Sequence, residues 1–247
     1  MMLRLPLTRS LKGAVFLFLL LAANGLGAET LSLDLGEGAL SSRLLLLIAL
    51  LSVFSLAPSL LVMLTSFTRI AVVMSFLRHG LGLGQSPPNS VLLSLSLFLT
   101  FFTMHDTLQH AYDQGLAPYL AGKVSEEEAL TKTVDPFRTF MLRHVGKKEM
   151  AVLMDMAKIE AVAKPEETPM RVLIPAFMLT ELKRAFEIGF LVCVPFLIID
   201  MVVASVVMAM GMMMLPPTML SLPFKIIFFV LSDGWALLAG SLVRSYS

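Results

Sequence analysis

FEIGFLVCVPFLIIDMVVASVVMAMGMMMLPPTMLSLPF, residues 186–224, decides the architecture. Glu187 and Asp200 enclose 12 uncharged residues, and the run then resumes without charge from Met201 to Phe224. A plain membrane span would not carry Asp200, because an ionisable group at that depth costs several kcal/mol unless it is paired. Gly211 and Pro216-Pro217 interrupt the second run. The spacing therefore predicts a helix down to about Met210, a tight loop, and a return helix continuing through Lys225 and Asp233. Six of the chain's 18 methionines fall on this turn: Met208, Met210, Met212, Met213, Met214 and Met219. Methionine is apolar and conformationally soft, so such side chains on a loop could close a wide pore and still yield to a passing chain. Their alternative role is filler in the core of a helical hairpin, but the helix breakers favour the gate.

Composition agrees with an apolar, membrane-bound class. The 247 residues are 57% hydrophobic and 15% charged, against roughly 25% charged in an average soluble domain. Mean hydropathy is +0.83, more apolar surface than one compact core can hide. A formal charge of +1 leaves no global field to gather nucleic acid. Cys193 is the only cysteine, so neither an internal disulfide nor a thiolate-rich metal site can be built.

At the amino end, Arg4, Arg9 and Lys12 precede an uncharged stretch from Gly13 to Ala23 and then Gly25, Gly27 and Ala28. This is the grammar of a signal peptide, residues 1–28, cut after Ala28 or after Gly27. A retained first helix is the alternative, although the apolar stretch falls short of the ~20 residues that span a bilayer. Residues 29–104 form an amino-terminal membrane segment. Its 44–68 run holds 25 residues without charge, enough for a ~30 Å hydrocarbon layer, and Arg69 at its end reads as an anchor reaching for the interface. Arg78, His79, Gly80, Gly82, Gly84, Pro87 and Pro88 make a reversing turn on the cytoplasmic side, followed by a short helical segment from Ser90 to Met104.

Residues 105–184 change character, holding 12 of the 18 acids and 11 of the 19 bases. They read as a water-facing, extracytoplasmic helical domain. Ser125 and Glu128 fit a capping box and Asp135-Pro136 a helix start. Phe137, Phe140, Met141 and His144 share one helical face, a spacing that Met150, Leu153, Met154 and Ala157 repeat. Residues 185–247 form the carboxy-terminal hairpin with its methionine loop. No enzyme is legible: His105, Asp106 and His110 do not stack on one helical face as metal ligands would, Gly80-x-Gly82-x-Gly84 lacks the following lysine and hydroxyl of a phosphate loop, and no nucleophile motif occurs. No cofactor is expected. Glu187, Asp200, Lys225 and Asp233 are the intramembrane charges, either packing pairs or pore lining.

Three separated stretches, in order, resemble one family. They are the 65–104 block with Thr68-Arg69-Ile70 and Gln85-Ser86-Pro87-Pro88-Asn89, the 175–190 stretch PAFMLTELKRAFEIGF, and Gly211 to Pro217. They resemble FliP, the flagellar branch of the type III secretion export-gate proteins, with Ser86 and Thr180 as mild departures. The resemblance implies an all-α fold of membrane-associated helical hairpins that assembles, five copies with FliQ and FliR, into a cone-shaped helical oligomer. It places the chain in the inner membrane at the flagellar basal body as a multi-pass protein, with unfolded flagellar subunits as passengers. It implies a constriction at Met210, Met212, Met213 and Met214, and we expect Phe137, Phe140 and Glu181 to serve oligomerisation. The competing expectation from the intramembrane charges alone is a secondary transporter for a proton or small solute, against which stands the missing internal repeat.

Overall fold

The computed structural model describes residues 62–159, 165–211 and 216–246, together with the helical positions Ile48, Leu51, Ser55 and Ser59. Two compact units divide the chain, 1–55 and 56–247. Of the first, Ile48, Leu51 and Ser55 are described, all helical; the elements that follow belong to the second. The leader 1–28, most of the 44–68 run, and Met212, Met213 and Met214 lie outside the described residues.

The described residues are all-α, with no strand among them. Helix α1, Phe67–Leu81, buries Ile70, Val73, Met74, Leu77 and Leu81 at helical spacing and stops at Gly82, whose φ of 74° suits a residue without Cβ. Thr65 and Ser66 break the chain before it, so Thr68 and Arg69, expected at the end of the preceding run, lie instead in the first turn of α1. After the Gly/Pro turn, α2 spans Asn89–Thr103, as the apolar segment predicted. Ser96 and Thr100 return their hydroxyls to the Leu92 and Ser96 carbonyls, a bonding mode that bends helices. The chain then turns by 65° at Met104 into α3, His105–Ala111.

A π-helical turn, Tyr112–Leu116, and the short α4, Ala117–Leu120, lead to α5, Glu126–His144. Ser125 caps α5 by accepting the Glu128 N–H, as the capping box predicted. Asp135-Pro136 does not start a helix: Pro136 lies inside α5. An interior proline costs about 3 kcal/mol, and here buried Ala129, Phe140 and Met141 on either side hold the helix together. Helix α6, Lys147–Met156, and a 3-10 turn, Pro165–Glu167, precede α7, Met170–Ala209, a single helix of 40 residues. The 184/185 boundary drawn from composition thus falls inside one continuous helix. Helix α8, Pro217–Leu231, returns beside α7 and breaks at Ser232-Asp233, where Asp233 has φ 51°. Helix α9, Gly234–Arg244, leaves at 63° to α8, so the return helix does not run unbroken through Asp233.

Helices α1 and α7 run parallel, which three contacts along them establish. Arg69 meets Glu181, the Phe76 and Phe186 rings lie 5.1 Å apart, and Gly80 approaches Cys193 and Phe196. Gly189 makes this contact possible, since a Cβ there would lie 2.6 Å from the Phe76 ring. Two apolar clusters follow. One joins α1, α2, α7, α8 and α9 through residues such as Met74, Leu99, Ala185, Phe229 and Leu242. The other joins Met104, Phe140, Met141, Leu173, Phe177 and Tyr246.

Candidate functional site

Two ion pairs inside the helical bundle and the hairpin tip are the places where chemistry could occur. The first pair was not expected. Arg69 is 1% exposed and Glu181 is fully buried, so Arg69 is no interface anchor. Its Nε donates to Glu181 Oε2 at 3.0 Å and its Nη2 to Oε1 at 2.5 Å, the bidentate geometry that arginine alone offers a carboxylate. The remaining donor, Nη1, reaches the Ser245 hydroxyl at 2.9 Å. Tyr246 donates its hydroxyl to Glu181 Oε2, and the Arg69 guanidinium sits 3.8 Å above the Tyr246 ring centre, a favourable cation–π position. Phe140 stacks on the same ring at 5.9 Å, and the His144 ring stands edge-on at 5.2 Å. Burial, then the charges of Arg69, Arg184 and Arg143, hold the His144 pKa down to about 4. This cluster ties α1, α5, α7 and the carboxy end together.

Phe140 and Glu181, expected at subunit contacts, are therefore occupied within their own chain. Phe137 is half-buried and lines an apolar cavity of about 200 Å³ with Leu64, Leu97, Phe101 and Met104. Glu149, outside the bundle, has its pKa lowered by its own backbone N–H and then by Lys183, whose ammonium it meets at 3.1 Å.

The second pair was half legible, since Asp200 and Lys225 were both candidates and the hairpin brings them together. Lys225 Nζ lies 2.6 Å from Asp200 Oδ2 and 3.1 Å from the Gly80 carbonyl. The Ser221 hydroxyl donates to Asp200 Oδ1 at 2.5 Å. Each charge thus has a partner, as apolar surroundings require. Glu187 and Asp233 do not join them. Both are exposed, and Asp233 does not cap α9 with its side chain.

At the hairpin tip, Met210 is 66% exposed, with Met208 and Met219 similarly bare. This is not the packing of core filler. Sequence reasoning missed Tyr246 altogether, and nothing in its neighbourhood signals a bond to a glutamate 65 residues earlier. For Arg69 a signal existed: a guanidinium in an apolar helix and a glutamate in another must meet or both be expelled.

Among the described residues, no three or more His, Cys, Asp or Glu side chains cluster to hold a metal. Helix α7 is long and apolar enough to cross a membrane, and the bent pairs α2 with α3 and α4, and α8 with α9, qualify if each is one broken span. The fold defines a class: a membrane-associated helical protein with two ion pairs held inside its bundle. The model of the FliP family matches residues 50–242, and the chain belongs to that family. It is 50% identical over 228 residues to the flagellar biosynthetic protein FliP of Caulobacter vibrioides, covering 92% of this chain and 86% of the relative. It is 44% identical over 243 residues to the FliP of Rhizobium meliloti (96% and 99%) and 50% identical over 200 residues to that of Bacillus subtilis (81% and 90%). The chain is accordingly a membrane-associated component of the flagellar export apparatus and not an enzyme.

Proposed function

We propose that this chain is a core subunit of the flagellar type III export gate. It acts as a homo-oligomer, five copies by family resemblance, joined by FliQ- and FliR-like subunits into a cone-shaped channel for unfolded flagellar proteins. In this reading it lies in the inner membrane at the basal body as a multi-pass protein, residues 105–184 stand outside the cytoplasm, and Met210, Met212, Met213 and Met214 form the constriction. The observation that carries it is the state of the hairpin: the most apolar 18-residue window of α7 is only 11% buried within the chain, and α7 ends in exposed methionines. Lipid alone would not shelter the broken helices α2–α4 and α8–α9, whereas sister subunits and a central channel would. The mutual satisfaction of Asp200 and Lys225 supports a packing role for these charges over the relay a transporter would need.

Mechanistically, soft unbranched methionines make a compliant seal, closing on one another when no substrate is present and spreading around an extended chain during export. The test replaces Met212, Met213 and Met214 together by alanine and measures ion conductance of the assembled complex in planar bilayers. Conductance is expected to rise while assembly is kept; unchanged conductance in intact complexes would sink the seal.

A further inference from the structure

Glu187 stands out among the charges of the bundle. It is exposed and has no hydrogen bond or ion pair among the described residues, yet its surroundings on α7 are apolar: Phe186, Phe190 and Leu191 are 57%, 62% and 67% exposed. A carboxylate on such a face costs several kcal/mol unless a cation answers it. Of the nearest cations of its own helix, Lys183 is engaged by Glu149, and Arg184, three residues before Glu187, is not within ion-pair distance of it.

Arg78 is the complementary case. Its Nη1 reaches only neutral acceptors, the Asn89 side chain at 2.5 Å and the Pro87 carbonyl at 3.4 Å. Its Nε is buried without a hydrogen-bond partner, and no carboxylate among the described residues pairs with it. The two residues stand at nearly the same height. Phe76 packs on Phe186 and against Gly189, and Arg78 lies two residues further along the parallel helix, about 3 Å on. They nevertheless face different ways. Glu181, Ala185 and Gly189 are the buried side of α7 towards α1, and at 3.6 residues per turn Glu187 points about 160° away from Ala185. An unanswered acid and an unanswered base, matched in height on different faces, are what a head-to-tail contact between identical subunits requires; a rotation that closes then gives a ring.

We propose that the α7 face bearing Phe186, Glu187, Phe190 and Leu191 is covered by a second copy of this chain, whose Arg78 supplies the cation for Glu187. The inference rests on the homo-oligomer reading above and adds which faces meet. The contact is heterologous, so each subunit gives its acid to one neighbour and its base to the other.

Cysteine cross-linking of the full-length chain in detergent tests it, on a Cys193→Ala background. Glu187→Cys and Arg78→Cys are made as separate variants, purified alone or co-expressed, and treated with a short bismaleimide; native mass spectrometry reports the oligomer in each sample. Covalent dimers are expected in the co-expressed sample and in neither variant alone. Glu187→Cys dimers formed alone would show a two-fold contact and overturn the proposal, and so would an intact oligomer without cross-links, which would assign the face to lipid or to another subunit. Absence of any oligomer in the Cys193→Ala parent would instead defeat the homo-oligomer reading itself. As a second measurement, Glu187→Arg and Arg78→Glu are each expected to reduce the oligomer by about tenfold or more through like-charge contact, with recovery in the double variant. No recovery would count against the pairing.

Discussion

The two halves of α7 obey different rules. From Met170 to Gly189 the helix buries Val172, Leu173, Ala176, Phe177, Thr180, Glu181, Ala185 and Gly189, whereas beyond Gly189 only Phe196 and Val207 are buried. The early half carries most of the polar residues yet is the better packed, held by α1, α5, α6 and the carboxy-terminal Tyr246. The later half is almost wholly apolar and mostly bare. In the later half of α7 hydrophobicity therefore does not mark the chain's own core, and hydropathy alone does not distinguish a cover of protein from one of lipid.

The sharpest way to break the early half is to remove half of its ion pair. Glu181→Ala strands Arg69 in a site 1% exposed, and leaving a buried charge without its partner costs about 3–5 kcal/mol. A large fall in the melting temperature of the detergent-purified chain is expected, with loss of folded protein at 37 °C.

Acidification acts on the same cluster more gently. His144 stays neutral in the folded chain down to about pH 4, while its ordinary value is 6.5. As pH falls between these limits the unfolded chain takes up the proton and the folded one does not. Stability is fully present above pH 6.5 and declines towards pH 4, by about 3 kcal/mol over the window. His144→Gln is expected to flatten that part of the pH profile, measured by thermal unfolding across pH 4 to 7.

The smallest effect on the single chain belongs to the later half. Met201 is 70% exposed, so Met201→Ala is expected to change chain stability by about 0.5 kcal/mol or less, while lowering the oligomer fraction in native mass spectrometry. Equal loss in both measurements would remove the contrast between the halves.

Local devices were readable from sequence and distant pairings were not. Ser125 acts through its own backbone and α5 begins after it, while α7 stops at Ala209 just before Gly211 and α8 starts at Pro217, as the helix breakers said. Asp135-Pro136 misled because a cap signal is weak beside an already formed helix with buried residues on both sides of it. Arg69 misled for a different reason: its partner is 112 residues away, and at the end of an apolar run an arginine looks the same whether it meets water or a buried glutamate. Asp200 and Lys225 were legible as charges that needed partners, but which of the four candidates would meet was not, and only the structure pairs these two. Glu187 and Asp233 share their sequence context, and only the helix faces separate them.

Native mass spectrometry of the detergent-purified chain, alone and then with its FliQ- and FliR-like neighbours, tests most directly that the bare half of α7 is an assembly surface. A discrete homo-oligomer that takes up both neighbours is expected. A stable monomer indifferent to them would contradict the gate and leave the later half of α7 facing lipid.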